Sequence, residues 1–207
     1  MFQTAAGVRI PFPEKLSEQY QQDGDTLTSN LSFEKLADFI RAFYAELDEP
    51  LFLAIHPDAE ADEVWYLDNM TKKQLTMILD GYGELLYQDG LSAFAIGSLA
   101  TEEELFVQKY KVLSIYSPRI SRFVKLLERF GVTRTDKLVT AWDTFSKEHP
   151  GEAQRLETAG QTVRYMIGEP QKMGMYKGRG ECVVLFPFCS VCQAHPAHPS
   201  RMVCSSR

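Results

Sequence analysis

Between Ser32 and Pro50, apolar side chains recur at helical spacing: Leu36, Phe39, Ile40, Phe43, Tyr44 and Leu47 fall at i, i+3, i+4, i+7, i+8 and i+11. A helix over 33–47 carrying that stripe has to lay it on another layer of structure. Ser32 supplies an N-cap and Pro50 a stop just past the end. Two apolar runs follow, 51–56 (Leu-Phe-Leu-Ala-Ile-His) and 63–68 (Glu-Val-Trp-Tyr-Leu-Asp). The polar segment between them suits a hairpin loop.

The same alternation continues. Thr71 caps a second predicted helix to about 87, with Leu75, Ile78, Leu79, Tyr82, Leu85 and Leu86 on one face. Gly81 and Gly83 weaken it by about 1 kcal/mol each relative to alanine and predict a kink or break there. Asp89-Gly90 reads as a turn whose glycine takes positive φ. Runs 91–98 and 104–117 read as a long hairpin with Lys109 and Lys111 on a partly solvated face. Ser117-Pro118 predicts the start of a third helix, striped by Ile120, Phe123, Val124, Leu127 and Phe130 and ended by Gly131. Weaker strands are expected at 138–142, 161–167 and 181–186, and a helical stretch at 152–159. The order predicts an α+β fold: a mostly antiparallel sheet with about three main helices packed on one face, and an irregular C-terminal tail.

The expected organisation is a polar N-terminal segment over 1–30, with a helical stretch across 14–21 and a loop from 21 to 30. A single α+β domain over 31–187 and a tail over 188–207 complete it. The 207 residues are enough to bury a core without disulfides or metals. A net charge of −6 argues against a nucleic-acid partner. The N-terminal residues lack the features of a signal peptide, and no apolar run approaches a membrane span. The expectation is therefore a cytoplasmic protein with no membrane partner and with reduced thiols.

All four cysteines fall in the last 26 residues, as Cys182, Cys189, Cys192 and Cys204. Cys189 and Cys192 have the spacing of half a zinc knuckle, which His195 or His198, with Cys204, would complete. Against a metal stand the backbone restrictions of His195-Pro196 and His198-Pro199 and the lack of a second Cys-x2-Cys. The plainer expectation is a frayed end with free thiols and no cofactor, zinc being the alternative. A redox role for the pair is disfavoured by the flanking prolines, which prevent a helix from opening at the first thiol.

Other candidate chemistry reads as structure. Asp143, Ser146 and His149 stand at three-residue steps, which spreads them along about 9 Å of helix axis, too far for a hydrolytic relay. Asp143 or Thr140 is better read as a cap, with Trp142 and Phe145 in the core. His56 ends a strand, and Asp68 and Asp89 flank a helix as cap and turn residues. The glycines around Tyr82 and Arg179 lack the spacing of a phosphate loop. Glu102, Glu103 and Glu104 read as a solvated hairpin tip and are the candidate partner-binding residues. Trp65, Tyr66, Tyr82, Tyr87, Tyr110 and Tyr116 are expected to be mostly core, with one or two exposed as anchors. The functional expectation is a non-catalytic intracellular domain that binds another, basic protein, on the analogy of acidic immunity or antitoxin proteins. The alternative is a zinc protein or enzyme built on the terminal cysteines.

Overall fold

The computed structural model describes residues 2–61, 63–171 and 174–178. In chain order the elements are β1 (Val8–Arg9), β2 (Gln19–Asp23), β3 (Thr26–Ser29), α1 (Phe33–Glu46), β4 (Leu51–His56), β5 (Trp65–Met70) and α2 (Lys72–Gln88). They continue with β6 (Ala93–Ser98), β7 (Glu103–Val107), β8 (Leu113–Tyr116), α3 (Ser121–Arg129), β9 (Thr133–Arg134), β10 (Glu152–Ala153), α4 (Val163–Gln171) and β11 (Tyr176–Lys177). Among the described residues nine strands form one sheet in the order β11-β5-β4-β6-β7-β8-β3-β2-β9, antiparallel at every pairing but β2–β9. β1 and β10 form a separate antiparallel pair. The fold is α+β, with the helices packed against a large, mostly antiparallel sheet.

Alternation along the strands builds the core. Leu53, Ile96, Leu105, Ile115 and Leu27 stand opposite one another across five strands, and each is wholly buried. The α1 stripe joins them, with Leu75, Ile78, Leu79 and Leu86 of α2, Phe123, Leu126 and Leu127 of α3, and Val163, Met166 and Ile167 of α4. Each such side chain contributes about 1.5–3 kcal/mol relative to leaving it exposed. The opposite parity carries a smaller cluster of Phe52, Ala54, Ala93, Ala95 and Phe106. There the Phe52 ring lies over Gly97, where an added Cβ would stand 2.5 Å from it. A third cluster joins Ala5, Val8, Ile10 and Leu16 to Tyr110, Val112 and Ala141.

Several expectations change. Residues 19–29 are not a loop outside the domain: they form a hairpin turning at Gly24 (φ 56°), with Tyr20 and Leu27 in the core. No helix spans 14–21; a single 3-10 turn (Pro13–Lys15) precedes the hairpin. The domain body therefore begins before residue 31. α2 has the expected Thr71 cap, extended to a capping box in which Thr71 Oγ1 accepts the Gln74 amide and the Gln74 side chain accepts the Thr71 amide. It runs unbroken through Gly81 and Gly83, and the Tyr87 ring occupies the space a Cβ at 83 would fill, at 2.8 Å.

The arm read over 104–117 is two strands, since Tyr110 and Lys111 both take φ of 61° and turn the chain between β7 and β8. α3 begins at Ser121, and Ser117 caps the preceding turn by accepting the Arg119 amide at 2.9 Å. Residues 163–167 belong to a helix where a strand over 161–167 is expected, with Val163, Met166 and Ile167 at helical spacing. No strand forms over 138–142, where a 3-10 turn begins at its end (Ala141–Thr144), and no helix forms over 152–159, which holds only the short β10 at its start. The strand expected at 181–186 and the tail over 188–207 lie outside the described residues. No helix among the described residues is long and apolar enough to cross a membrane.

Candidate functional site

The register places five segments at one end of the sheet. Asp23 pairs with Thr26, Thr26 with Tyr116, and Tyr116 with Glu104. Ser98 pairs with both Glu103 and Leu51, and Leu51 with Met70. The β2–β3 turn, the β6–β7 tip, the α1–β4 link, the start of α2 and the entry to α3 therefore share one end.

Alternation assigns Glu103 the inward parity of Leu105 and Val107, and Glu103 is wholly buried. A lone carboxylate there would be strongly destabilising, so its partners decide whether the end can close. Oε1 accepts the Ser117 hydroxyl at 2.7 Å. Oε2 accepts the Thr101 hydroxyl at 2.6 Å and the Arg119 guanidinium at 3.1 Å, and it pairs with Arg122. Arg122 also donates to the Glu46 carbonyl at 2.8 Å, which ties α3 to the end of α1. Arg119 reaches Asp48 at 3.6 Å. The middle residue of the acidic triplet is thus an internal clamp and not part of a solvated tip. Buried, it cannot be a surface contact for a partner.

Glu102 is exposed at the tip with φ of 55°, and Glu104 is half-buried. Asp23 and Asp25 flank the neighbouring turn and are exposed. Asp23, Asp25 and Glu102 form no ion pair among the described residues. The other carboxylates of this end are engaged: Glu49 accepts the Lys72 amide at 2.5 Å and Glu46 meets Arg129 at 3.3 Å.

The opposite end holds a second buried charge group. Asp89 is wholly buried, and its Oδ1 accepts the amides of Leu91 (2.9 Å) and Ser92 (2.7 Å) and the Arg155 guanidinium (3.1 Å). Oδ2 accepts the Leu156 amide at 3.0 Å. Beside it Lys111, expected on a solvated face, is buried, and burial lowers its pKa to about 7. The turn at 110–111 inverts the parity from which exposure was read.

The remaining candidates are structural. Asp143 Oδ2 accepts the Thr140 amide and hydroxyl, both at 2.8 Å, and Ser146 Oγ accepts the His149 amide at 3.0 Å, so no relay forms among them. Asp68 accepts the Tyr176 hydroxyl, which pushes that phenol up to about 12. A shallow depression of about 280 Å³ lies between Arg9, Pro11, His149 and Glu152. Among the described residues no group of three or more His, Cys, Asp or Glu is arranged to hold a metal. The zinc candidates Cys189, Cys192, His195 and Cys204 lie outside those residues. Of the six aromatics expected to be mostly core, Tyr87 and Tyr110 are buried and Trp65, Tyr66, Tyr82 and Tyr116 half-buried, so none is an exposed anchor; Trp142, Tyr165 and Tyr176 are the exposed ones.

His56 closes β4, buried against the edge of Phe106, and burial lowers its pKa to about 4. Since the unfolded chain titrates near 6.5, it binds the proton more readily than the fold does between those values. His56 therefore makes stability rise with pH from about 4 to 6.5, by about 3 kcal/mol in all. Thermal melts across that window should show a shallower acid arm for His56→Gln than for the native chain. Parallel arms would mean that His56 is solvated.

No family model, curated protein or solved structure matches the chain.

Proposed function

We propose that the chain is a non-catalytic, cytoplasmic protein-binding domain that meets a basic partner through the acidic loop end of its sheet. The carrying observation is that Asp23, Asp25 and Glu102 come from two separate turns to one end of the sheet, exposed and without ion pairs among the described residues. The tip that carries Glu102 is held to α3 by the Glu103 clamp, so its charge is presented without a large ordering cost on binding. A basic toxin neutralised by an acidic antagonist is one partner with this chemistry. Surface charges of this kind act mainly on encounter rate and salt dependence.

The test uses the full chain as bait in an extract of its source cell. Recovered partners are then titrated against the native chain and the triple variant Asp23→Asn, Asp25→Asn, Glu102→Gln. The expected partner is basic. Its binding weakens with salt and falls about tenfold in the triple variant, the combined effect of three rim charges. Equal affinity of both chains at low and high salt would overturn the reading.

A further inference from the structure

The sheet has two faces, and the helices cover one. The apolar side chains that α1, α2, α3 and α4 bury all pack with Leu53, Ile96 and Leu105. On the other parity the register runs one row across five strands. Tyr176 stands opposite Tyr66, Tyr66 opposite Ala54, Ala54 opposite Ala95, and Ala95 opposite Phe106. Phe52 and Ala93 join this row in an apolar patch. A sheet face left to water carries polar residues, and this one does not. Phe52 and Phe106 keep only 7% and 6% of their surface in water, and His56, on the same parity, is buried with them. Yet the partly buried apolar residues packed on the patch, among the described residues, are Ala59, Val64 and Tyr66, from β5 and the link before it. None comes from a helix, and neighbours at the rim shield the edge of a ring and not its outward side.

The chain leaves the described residues at the border of this patch. The Gly178 amide donates to the Val64 carbonyl at 2.8 Å, and a Cβ at Gly178 would lie 2.6 Å from the Tyr66 ring. Tyr176 stacks on the same ring at 5.9 Å. Four residues further on the sequence carries the run 182–188, Cys-Val-Val-Leu-Phe-Pro-Phe. It is apolar at both parities, so both of its sides have to leave water. Four strand spacings separate β11 from β7, about 19 Å in all. The ten residues 179–188 reach about 33 Å when extended.

We infer that the apolar back of the sheet is the docking surface for the chain's own segment 182–188, which covers Phe52 and Phe106 as the helices cover the other face. An apolar surface without a cover and an apolar run without a surface adjoin at Gly178. A second copy of the chain is a poorer occupant. Two rings of about 150–250 Å² each and three alanine methyl groups fall short of the roughly 800 Å² per partner that a stable interface buries. Docking holds Cys182 on the body of the domain, so the cysteines from Cys189 onward start from an anchored point.

The test is isotope-filtered NMR on the full chain, read through the methyl groups of Val183, Val184 and Leu185. Cross-peaks to the rings of Phe52 and Phe106 within one chain are the expected result. Methyl groups without a cross-peak to either ring would overturn the inference, and so would cross-peaks found only between differently labelled copies. The double variant Val184→Asp, Leu185→Asp puts a charge on both parities of the run. It is expected to shift the ring resonances of Phe52 and Phe106 while the methyl resonances of Leu27 and Ile115, in the core under the helices, stay in place. Ring resonances that ignore the two charges count against docking. Should that variant fail to fold, the cross-peaks of the native chain decide alone.

Discussion

Glu103→Ala is expected to destabilise the protein by about 3–5 kcal/mol, because it leaves Arg119 and Arg122 facing a buried site with no counter-charge. For a chain of this size that lowers the melting temperature on the order of 10 °C, measured by calorimetry. Glu102→Ala, one residue earlier on the exposed tip, is expected to change stability by less than about 0.5 kcal/mol. The two substitutions remove the same charge, so net-charge arguments predict equal effects and the clamp predicts very unequal ones. Equal melting temperatures for the two variants would show that Glu103 is solvated and the clamp absent. A paired replacement, Glu103→Leu with Arg122→Met, should recover much of the loss. Arg119 is about half exposed and can turn to water, and a buried ion pair is not inherently more stable than an apolar pair of similar volume.

That contrast bears on how much of the molecule was legible in its sequence. The α1 and α2 stripes, the β4–β5 hairpin and the Thr71 cap follow from periodicity, and periodicity survives folding because it reports which side must leave water. The β2–β3 hairpin did not stand out because the face that carries Tyr20 and Leu27 inward also carries Gln22 and the buried Ser29, and the other face carries Gln21 and Thr28. α4 was read as a strand from its β-branched and aromatic residues, although Val163, Met166 and Ile167 already had helical spacing.

The buried charges were the least legible. Glu103 shares the parity of Leu105 and Val107, so the signal existed, but three adjacent glutamates read as one solvated run. Lys111 was hidden by a turn through positive φ that no local residue preference announces. Such sites depend on partners more than ten residues away, as Glu103 does on Arg119 and Arg122 and Asp89 on Arg155. Periodicity within one element carries no information about them.

Gly90→Ala should be among the most damaging single changes in the chain. The sequence suggests a turn glycine with positive φ, but Gly90 is not among the glycines that adopt one. It is needed for close approach: a Cβ there would lie 1.8 Å from the Gly7 carbonyl oxygen, and a Cβ at Gly7 would lie 2.4 Å from the Gly90 nitrogen. Three strands of backbone are knotted at this point. The Gly7 amide donates to the Gln88 carbonyl (2.9 Å), the Gly90 amide to the Gln154 carbonyl (3.0 Å), and the Gln154 amide to the Gly7 carbonyl (2.9 Å). Neighbours made of backbone cannot yield as a flexible side chain can, so the loss should reach or exceed the upper part of the overpacking range, about 3 kcal/mol. It should also be local. Amide exchange is expected to quicken over 5–10 and 152–156 while β4 and β6 keep their protection, since the latter are held by the main core. Adding Gly7→Ala should cost little more, because both changes break the same contact. Gly81→Ala provides the opposite control. A Cβ there meets nothing within 4 Å, and on an exposed helix it should gain about 1 kcal/mol. If Gly90→Ala melts within about a degree of the native chain, the N-terminal segment is not seated on the end of α2, and the layer it forms with β10 is not part of the folded protein in solution.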